Sequence, residues 1–500
     1  MFFNKKKLTI GFVIGCLLFS RFVKINWGDG FFFHPDENNM ARAITNLSNT
    51  NLDPHFYAYG QFPLYLVYFI FRGVTLKSPS FAQAVLGLRL TSAVFSCLTI
   101  YCFYLLSKEV FRCFNDQIIF LLFLIFSPGL IQIAHFGTTE SILVFVFVFD
   151  IYLAFLLKRK YQFKYLIWAG IITGVGVATK ITALVFTLPI IIALKFSLLP
   201  TVYYLLITLM TGIGLSPYSL INFPDFLSSM RYETGVARGA TKVFYTNQFL
   251  STKPYWFQIK NIFPYVVGLP VFIFSCLGLI KIRHHRNFKT IFSFFLLPSL
   301  IYFLYFGQLY VKWTRFMAPI FVVFPLLAAY WISQLKSKSF KSIMIILAIL
   351  PGIIFLNLYL RPDIRLSASQ WMDENLNDGS VILSEAGNIV DLPLNTSRSF
   401  MVRNFDFYNL ENSPDKLADL YQYVERANYI LVPSRRVFKN QTGSRFPSSS
   451  QYYQDLFSGQ LGFSLVKTFQ TPNYFILDPE NAEETWTVFD QPKIRLYARR

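Results

Sequence analysis

Acidic residues are scarce over most of this chain. Positions 1–360 hold 10 Asp and Glu against 31 Lys and Arg, whereas 361–500 hold 17 against 15, so the net charge of +19 belongs to the first part alone. A nucleic-acid-binding protein gathers basic residues on one soluble face. Here they fall in short stretches between apolar runs, which is a topology signal and argues against a nucleic-acid partner. Cysteine is equally sparse. All five (Cys16, Cys97, Cys102, Cys113, Cys276) lie in or beside apolar runs and 361–500 has none, which excludes a disulfide framework there; no pair has metal-ligand spacing. Val13-Ile14-Gly15-Cys16 has the outline of a lipoprotein cleavage site, but the apolar run continues past Cys16, as in an uncleaved first span. Residues 361–500 also lack any run long enough to cross a bilayer. The chain has no repeat of ~20–50 residues and no low-complexity tract beyond Ser448–Ser450.

What is abundant is apolar surface: 54% of residues, with 57 Phe. A span needs about 20 apolar residues. Such runs predict 11 spans, at 8–27, 81–107, 117–134, 141–157, 165–179, 181–197, 200–221, 261–280, 290–306, 316–335 and 342–360. Segment 62–75 is apolar but short and contains Pro63, as expected of a helix lying in the interface. Lys5-Lys6-Lys7, Lys108/Arg112, Lys158-Arg159-Lys160/Lys164, Lys195, Lys281/Arg283/Arg286/Lys289 and Lys336/Lys338/Lys341 fall on one side, which the positive-inside rule makes cytoplasmic. An odd number of spans then puts the C-terminal region outside a plasma membrane. Loops 28–80 and 222–260 are external too, and rich in Tyr, Phe, Trp, Pro and Asn.

The expected fold is mainly α. Residues 1–360 form a polytopic bundle of about 11 transmembrane helices, and 361–500 form an external α/β domain. Candidate strands in that domain are Val381–Ser384, Tyr429–Val432, Leu465–Phe469, Tyr474–Leu477, Thr487–Phe489 and Ile494–Tyr497. Ser413-Pro414 opens a helix to Arg426, with Ser as cap and Pro in the first turn.

The few carboxylates of 1–360 can be placed one by one. Glu109 and Asp116 are cytoplasmic and Asp150 lies within a span. Asp29, Asp36, Glu37, Asp53, Glu140, Asp225 and Glu233 are all external, so acid–base chemistry belongs to the outer face. The sharpest local feature is Phe31-Phe32-Phe33-His34-Pro35-Asp36-Glu37, running into a helical stretch from Asn38. Asp36 and Glu37 sit at a helix start, where the dipole favours anions, and simple capping is the competing reading. Glu140, in His135-Phe136-Gly137-Thr138-Thr139-Glu140, is a second carboxylate at the same depth. Transfer to a hydroxyl or amine needs a base for the acceptor proton and cations for a leaving phosphate. Arg315, Lys312, Arg231 and Lys180 lie at or near the outer boundary and can serve, although snorkelling at a span end equally explains Arg315 and Lys312. His34, Tyr59, Gln61, His135 and Glu233 are candidates to contact substrate. His34, Asp36, Glu37, His55, His135 and Glu140 offer oxygen and imidazole ligands on one side, a set that could hold a divalent metal ion if it assembled. Asp150, about 15 Å deeper than Glu140 at 1.5 Å per residue, is expected to have an internal polar partner. Segment 222–260 is a candidate lid.

These residues resemble a known family. The chain is similar to the dolichyl-phosphate-mannose protein mannosyltransferase superfamily, with its bacterial glycosyltransferase family 39 members and the lipid A aminoarabinose transferases. The likeness runs through His34-Pro35-Asp36-Glu37, Tyr59-Gly60-Gln61-Phe62-Pro63-Leu64-Tyr65, Leu88-Arg89-Leu90, Ser127-Pro128 and Ala134–Glu140. It continues through Gly174–Lys180, Trp313–Pro319, Trp371–Asn375, Val381–Glu385 and Asp490–Lys493. It implies a GT-C fold and an inverting transfer from a polyprenyl-phosphate-linked sugar. In that reading Asp36 is the catalytic base or an acceptor-orienting carboxylate, Glu37 supports it, Glu140 is the second acid, and Arg315 faces the donor phosphate. The second acid is often Asp in relatives and is Glu140 here. Gln61 stands where aminoarabinose transferases carry Lys, and no Trp-Trp-Asp motif of oligosaccharyltransferases is present.

Two other classes compete with the glycosyltransferase. A transporter or flippase of lipid-linked sugars calls for intramembrane charges, broken spans and repeats; the sequence offers one acid within a span and no repeat. A non-catalytic assembly protein of the same fold is the other. Donor sugar and acceptor (protein, lipid or cell-envelope glycan) are not encoded in any motif. The topology itself is testable: a reporter fused after Arg500 is expected outside and one inserted at Arg283–Arg286 in the cytoplasm. Both on one side would remove the basis for an outer-face site.

Overall fold

A backbone surrounded by lipid must satisfy its own N–H and C=O groups, so long apolar runs fold as helices. The computed structural model describes residues 5–388, 390, 392–394, 397–471 and 477–500. Its contacts divide into two units. The first comprises Met1–Asn26, Asp36–Ala240 and Lys253–Asn357; the second comprises Trp27–Pro35, Thr241–Thr252 and Leu358–Arg500.

The first unit is helical. In order come α1 (Lys5–Phe22), α2 (Pro35–Thr45, its first residue lying in the other unit), α3 (Phe62–Thr75), α4 (Phe81–Val110), α5 (Phe114–Ile125), α6 (Pro128–His135), α7 (Glu140–Arg159) and α8 (Phe163–Thr179). After a 3₁₀ stretch, Ile181–Thr187, follow α9 (Leu188–Ala193), α10 (Leu198–Leu215), α11 (Tyr218–Ile221) and α12 (Phe223–Arg238). Each predicted span falls on a helical segment. Among the described residues five helices are long and apolar enough to cross a membrane, and up to eight if each of three bent pairs is one span. The shortfall from 11 has local causes: α1 carries four basic residues in its 18, while Phe163–Thr179 and Ile181–Ala193 are short. Segment 62–75, expected to lie in the interface, is the short helix α3. Most of the supposed loop 222–260 is helical too, chiefly as α12.

Local chemistry sets the ends and breaks. Ser80 and Gln83 exchange side chain–backbone hydrogen bonds in a capping box that starts α4. Between α5 and α6 the path bends by 54°. Pro128 has no N–H for the carbonyl of Leu124, four residues back. Fully buried Arg21 fills the gap: Nη2 donates to Leu124 O (3.2 Å), Nη1 to Ile125 O (2.9 Å) and Nε to Ser96 Oγ (2.9 Å). Asp150 has the internal partner expected of it. Thr173 Oγ1 donates to its Oδ2 at 2.9 Å and lies 2.8 Å from the Tyr204 hydroxyl, tying α7, α8 and α10 together.

The second unit holds a five-stranded sheet in the order β2-β1-β3-β5-β4, with β1 Val381–Glu385, β2 Met401–Phe405, β3 Tyr429–Val432, β4 Phe463–Phe469 and β5 Ile494–Arg499. β1 pairs in parallel with β2 and β3, whereas β5 is antiparallel to β3 and β4. Alternating side chains build two cores. Ile382, Leu431 and Leu496 pack with Ala368 and Met372 of the helix Ile364–Asn375. Leu383, Ile430 and Tyr497 pack with Leu420 and Tyr453 of the helices Pro414–Arg426 and Pro447–Ser458. Ser413 caps the 414–426 helix as expected, accepting from Asp415 N at 3.2 Å.

One strand expectation fails and one strand was not foreseen. Thr487–Phe489 is no strand: Thr485–Val488 is a helical turn, its start held by Glu483 Oε1, which accepts from Thr485 N at 3.1 Å. Edge strand β2 was unforeseen because Met-Val-Arg-Asn-Phe is largely exposed and shows no apolar alternation. The expected strand Tyr474–Leu477 lies, but for Leu477, outside the described residues. Segment 27–35 belongs to this unit through Arg365, whose guanidinium lies 3.6 Å from the Phe33 ring centroid and donates to Phe489 O at 2.9 Å.

Glu385 at the end of β1 makes this unit's stability pH-dependent. Tyr453 Oη (2.7 Å) and Asn388 Nδ2 (2.5 Å) donate to its carboxyl. Burial outweighs these bonds and the Arg495 charge, and pushes its pKa from 4.5 up to about 7. The folded unit thus holds this proton more tightly than the unfolded chain. The stabilisation is complete below about pH 4.5 and is lost as pH rises through about 7, a swing on the order of 3 kcal/mol at 1.36 kcal/mol per pH unit. Chemical unfolding of full-length Glu385→Gln, followed between pH 5 and 8, is expected to lack this part of the parent's slope. Identical slopes for the two proteins would contradict it.

Candidate active site

The first unit brings together six of the singled-out residues from distant parts of the chain. Pro35 opens α2 with a preset φ and no N–H to satisfy, which puts Asp36 and Glu37 in the first turn. From there the two carboxylates diverge. Glu37 is fully buried: Arg89 Nη2 of α4 donates to Oε2 at 2.8 Å, Arg89 Nε to both oxygens at 3.2 Å, and the Gly137 N–H to Oε1 at 2.6 Å. Gly137 can come this close because it has no side chain; a Cβ there would lie 2.7 Å from Leu88 Cβ. Three segments thus meet at one carboxylate, α2, α4 and the α6–α7 link that leads to Glu140.

Asp36 points elsewhere. It pairs with Arg315 Nη1, from the 3₁₀ turn Thr314–Ile320, and both side chains keep some exposure, 20% and 26%. Arg315 Nη1 also donates to the Tyr59 hydroxyl at 3.2 Å, and its guanidinium lies 4.8 Å from the Trp313 ring centroid. Lys180, at the corner after α8, has its ammonium 5.1 Å from the Tyr59 ring centroid and 5.2 Å from that of Phe316. Gly60 makes this approach possible. Its N–H donates to Thr179 O at 2.9 Å, and a Cβ there would sit 2.0 Å from the Ala178 carbonyl oxygen.

Glu140 in the first turn of α7 and Glu233 of α12 complete the cluster. Lys180 interacts electrostatically with Glu140, Arg315, Asp36 and Glu233. Burial raises the Glu233 pKa above its usual value; Arg315 and Lys180 oppose this and Asp36 adds to it. Burial likewise holds the Tyr59 phenol well above its usual range, opposed by Arg315 and reinforced by the three carboxylates. Two cations and three carboxylates therefore share one partly open site, as suits a charged substrate group that must be held beside a proton acceptor.

The other candidates lie elsewhere. Lys312 donates to Tyr310 O at 2.8 Å and burial lowers its pKa to about 8. Arg231 is exposed on α12 two residues from Glu233, hence on a different face of the helix. Gln61 is a tether: its Oε1 accepts from Tyr65 Oη and Tyr218 N, both at 3.1 Å. Both ring nitrogens of His135 lie 2.9 Å from carbonyl oxygens, those of Ile131 and Val23. His34 belongs to the second unit, its ring centroid 4.3 Å from that of Phe489. The proposed metal set does not assemble, and among the described residues no three His, Cys, Asp or Glu are grouped to hold a metal. Arg89 had appeared only within a motif. Its signal was available, since a basic residue in the first turns of an apolar span needs a partner.

Residues 64–220 match the sequence model of a family described as dolichyl-phosphate-mannose-protein mannosyltransferase. The fold is similar to the Archaeoglobus fulgidus oligosaccharyltransferase in the apo form, with TM-score 0.52 and 14% identity over 90% of this chain and 73% of that one. The archaeal oligosaccharyltransferase AglB from the same organism, in complex with an inhibitory peptide and a dolichol-phosphate, gives 0.50 and 14% over 90% and 72%. ArnT from Cupriavidus metallidurans bound to undecaprenyl phosphate aligns over 98% and 97% at 10% identity, with TM-score 0.49. No curated protein matches the chain in sequence. The chain is an integral membrane protein whose fold is similar to that of these oligosaccharyltransferases. The match to the mannosyltransferase family model covers under a third of the chain, from the start of α3 to α11.

The two adjacent carboxylates should differ sharply in stability. In Glu37→Gln an amide N–H₂ would face the buried Arg89, and removing one partner of a buried pair costs about 3–5 kcal/mol. Asp36→Asn removes a part-exposed pair worth about 1 kcal/mol or less. Thermal unfolding in detergent should rank them in that order; equal melting temperatures would refute the buried lock.

Proposed function

We propose that the protein is an inverting glycosyltransferase that takes a sugar from a polyprenyl-phosphate donor and passes it to an acceptor on the outer face of the membrane. The observation that carries this reading is the Asp36–Arg315–Tyr59 arrangement with Lys180 beside it. A base for the acceptor and two cations for a phosphate stand together in one site. The acceptor oxygen or nitrogen attacks the anomeric carbon from the side opposite the phosphate, and Asp36 takes its proton as the bond forms. The bond from the anomeric carbon to the phosphate oxygen breaks and configuration inverts. The leaving phosphate takes up the electron pair, and Arg315 and Lys180 balance its charge.

The resting pair has a function in this scheme. An arginine beside a carboxylate weakens it as a base. A donor phosphate that draws on the charge of Arg315 restores the basicity of Asp36 at the moment a sugar is present. Glu140 and Glu233 shape the field around the two cations. A transport reading would need an available intramembrane acid, and Asp150 is instead fully buried in its bond with Thr173.

Asp36→Asn keeps the shape but cannot take a proton. In detergent with a polyprenyl-phosphate sugar, turnover is expected to fall about 10²–10⁴-fold while the folded variant still binds donor. If Asp36 only caps α2, Asn serves as well, and turnover at the parent rate would sink the assignment.

A further inference from the structure

Strands β3 and β4 run in the same direction, because each is antiparallel to β5. Their carboxyl ends lead to Ser434–Arg435 and Gln470–Thr471, and the chain enters β5 at the same edge through Lys493. These segments, with Asp478–Glu480, line a cavity of about 280 Å³ wholly within the second unit. It sits where the sheet changes from parallel to antiparallel pairing. Crevices outside the carboxyl ends of strands, beside a change in strand order, are where open α/β sheets commonly hold ligands.

The lining defines the ligand. Arg435 and Lys493 balance Asp478 and Glu480, so the formal charge of the lining cancels. The cations are also answered within the protein. Arg435 Nη1 donates to Ala482 O at 2.7 Å and to Glu480 O, and Lys493 Nζ lies 3.9 Å from Glu480 Oε2. A phosphate there would face two carboxylates as well as the two cations. The lining nevertheless holds buried polar atoms left without a hydrogen-bond partner, among them Glu480 Oε1 and Thr471 Oγ1. Glu480 Oε2 is committed to Arg495 Nη2 at 2.5 Å, which fixes the carboxylate and leaves Oε1 as an oriented acceptor. Such unpaired atoms are costly, on the order of 1–3 kcal/mol each, and sugar hydroxyls can satisfy both, since each donates and accepts.

We propose that this cavity binds a neutral glycan. Identifying that glycan as the acceptor rests on the glycosyltransferase reading, whereas the binding itself does not.

The test uses the full-length protein in lipid nanodiscs, with maltose, mannobiose and cellobiose as neutral probes and inorganic phosphate and glucose 1-phosphate as anionic ones. Saturation-transfer NMR reads binding, and polyprenyl-phosphate binding by the same samples shows that the protein is folded. At least one neutral disaccharide is expected to bind at millimolar concentration, undisplaced by phosphate. Thr471→Val should weaken it roughly tenfold, the scale of one hydrogen bond to a buried group, and Gln470→Ala provides a second variant on the same wall. Three results would overturn the proposal: no neutral disaccharide bound by the parent protein, full displacement by phosphate, or parental affinity in both variants. Disaccharide binding without sugar transfer would count against the catalytic reading alone. Transfer without disaccharide binding would count against this site alone.

Discussion

The ion pair between Glu37 and Arg89 is the constraint on which the first unit depends. A guanidinium and a carboxylate, both fully buried, are tolerable only if each is answered in full. Here the carboxylate takes bonds from two guanidinium nitrogens and from the Gly137 amide. That single carboxylate fixes three things: the start of α2, its seat on α4, and the link that delivers α7. Asp36 is the neighbour of one locked group, and Glu140 follows three residues after the other. The Asp36 side chain can thus stay partly exposed because the residue beside it is committed to structure.

A second device brings the cations. Tyr59 and Lys180 are 121 positions apart, and they meet because Gly60 lets the first loop press its backbone against the end of α8. Arg315 arrives from a third direction, braced by Trp313 and bonded to both Asp36 and Tyr59. Each of these side chains sits at a helix end or on a turn beside one, the positions where a helical bundle can direct polar groups without burying unmet backbone. Under the proposed reading this concentration of opposite charges is what a phosphate leaving group requires, and the resting Asp36–Arg315 pair is the form the site takes without one.

Much of this was legible beforehand. The apolar runs of 1–360 had to become helices, and each predicted span falls on one, because lipid or a packed core leaves the backbone no other way to satisfy itself. The shortage of acids narrowed the search so far that Asp36, Glu140 and Glu233 could be named by inspection. Thr487–Phe489 misled because three residues of β-type composition cannot outweigh a neighbouring glutamate that caps a helical turn. Edge strand β2 was invisible because half of its pattern faces solvent. Arg21 and Arg89 were passed over for one reason: a buried arginine is explained only by its acceptors, and those lie 52 to 104 positions away.

Composition and periodicity determined the class of the protein: a helical membrane bundle followed by an α/β region. These are properties of the residue order, since hydrophobic runs and basic loops act locally. Which carboxylate is committed and which is available was not in that order. Asp36 and Glu37 are adjacent carboxylates, both in the first turn of one helix. Successive side chains on a helix point about 100° apart, so one met the buried Arg89 and the other met Arg315, and only the packing of α4 and of the turn at 314–320 could decide between them.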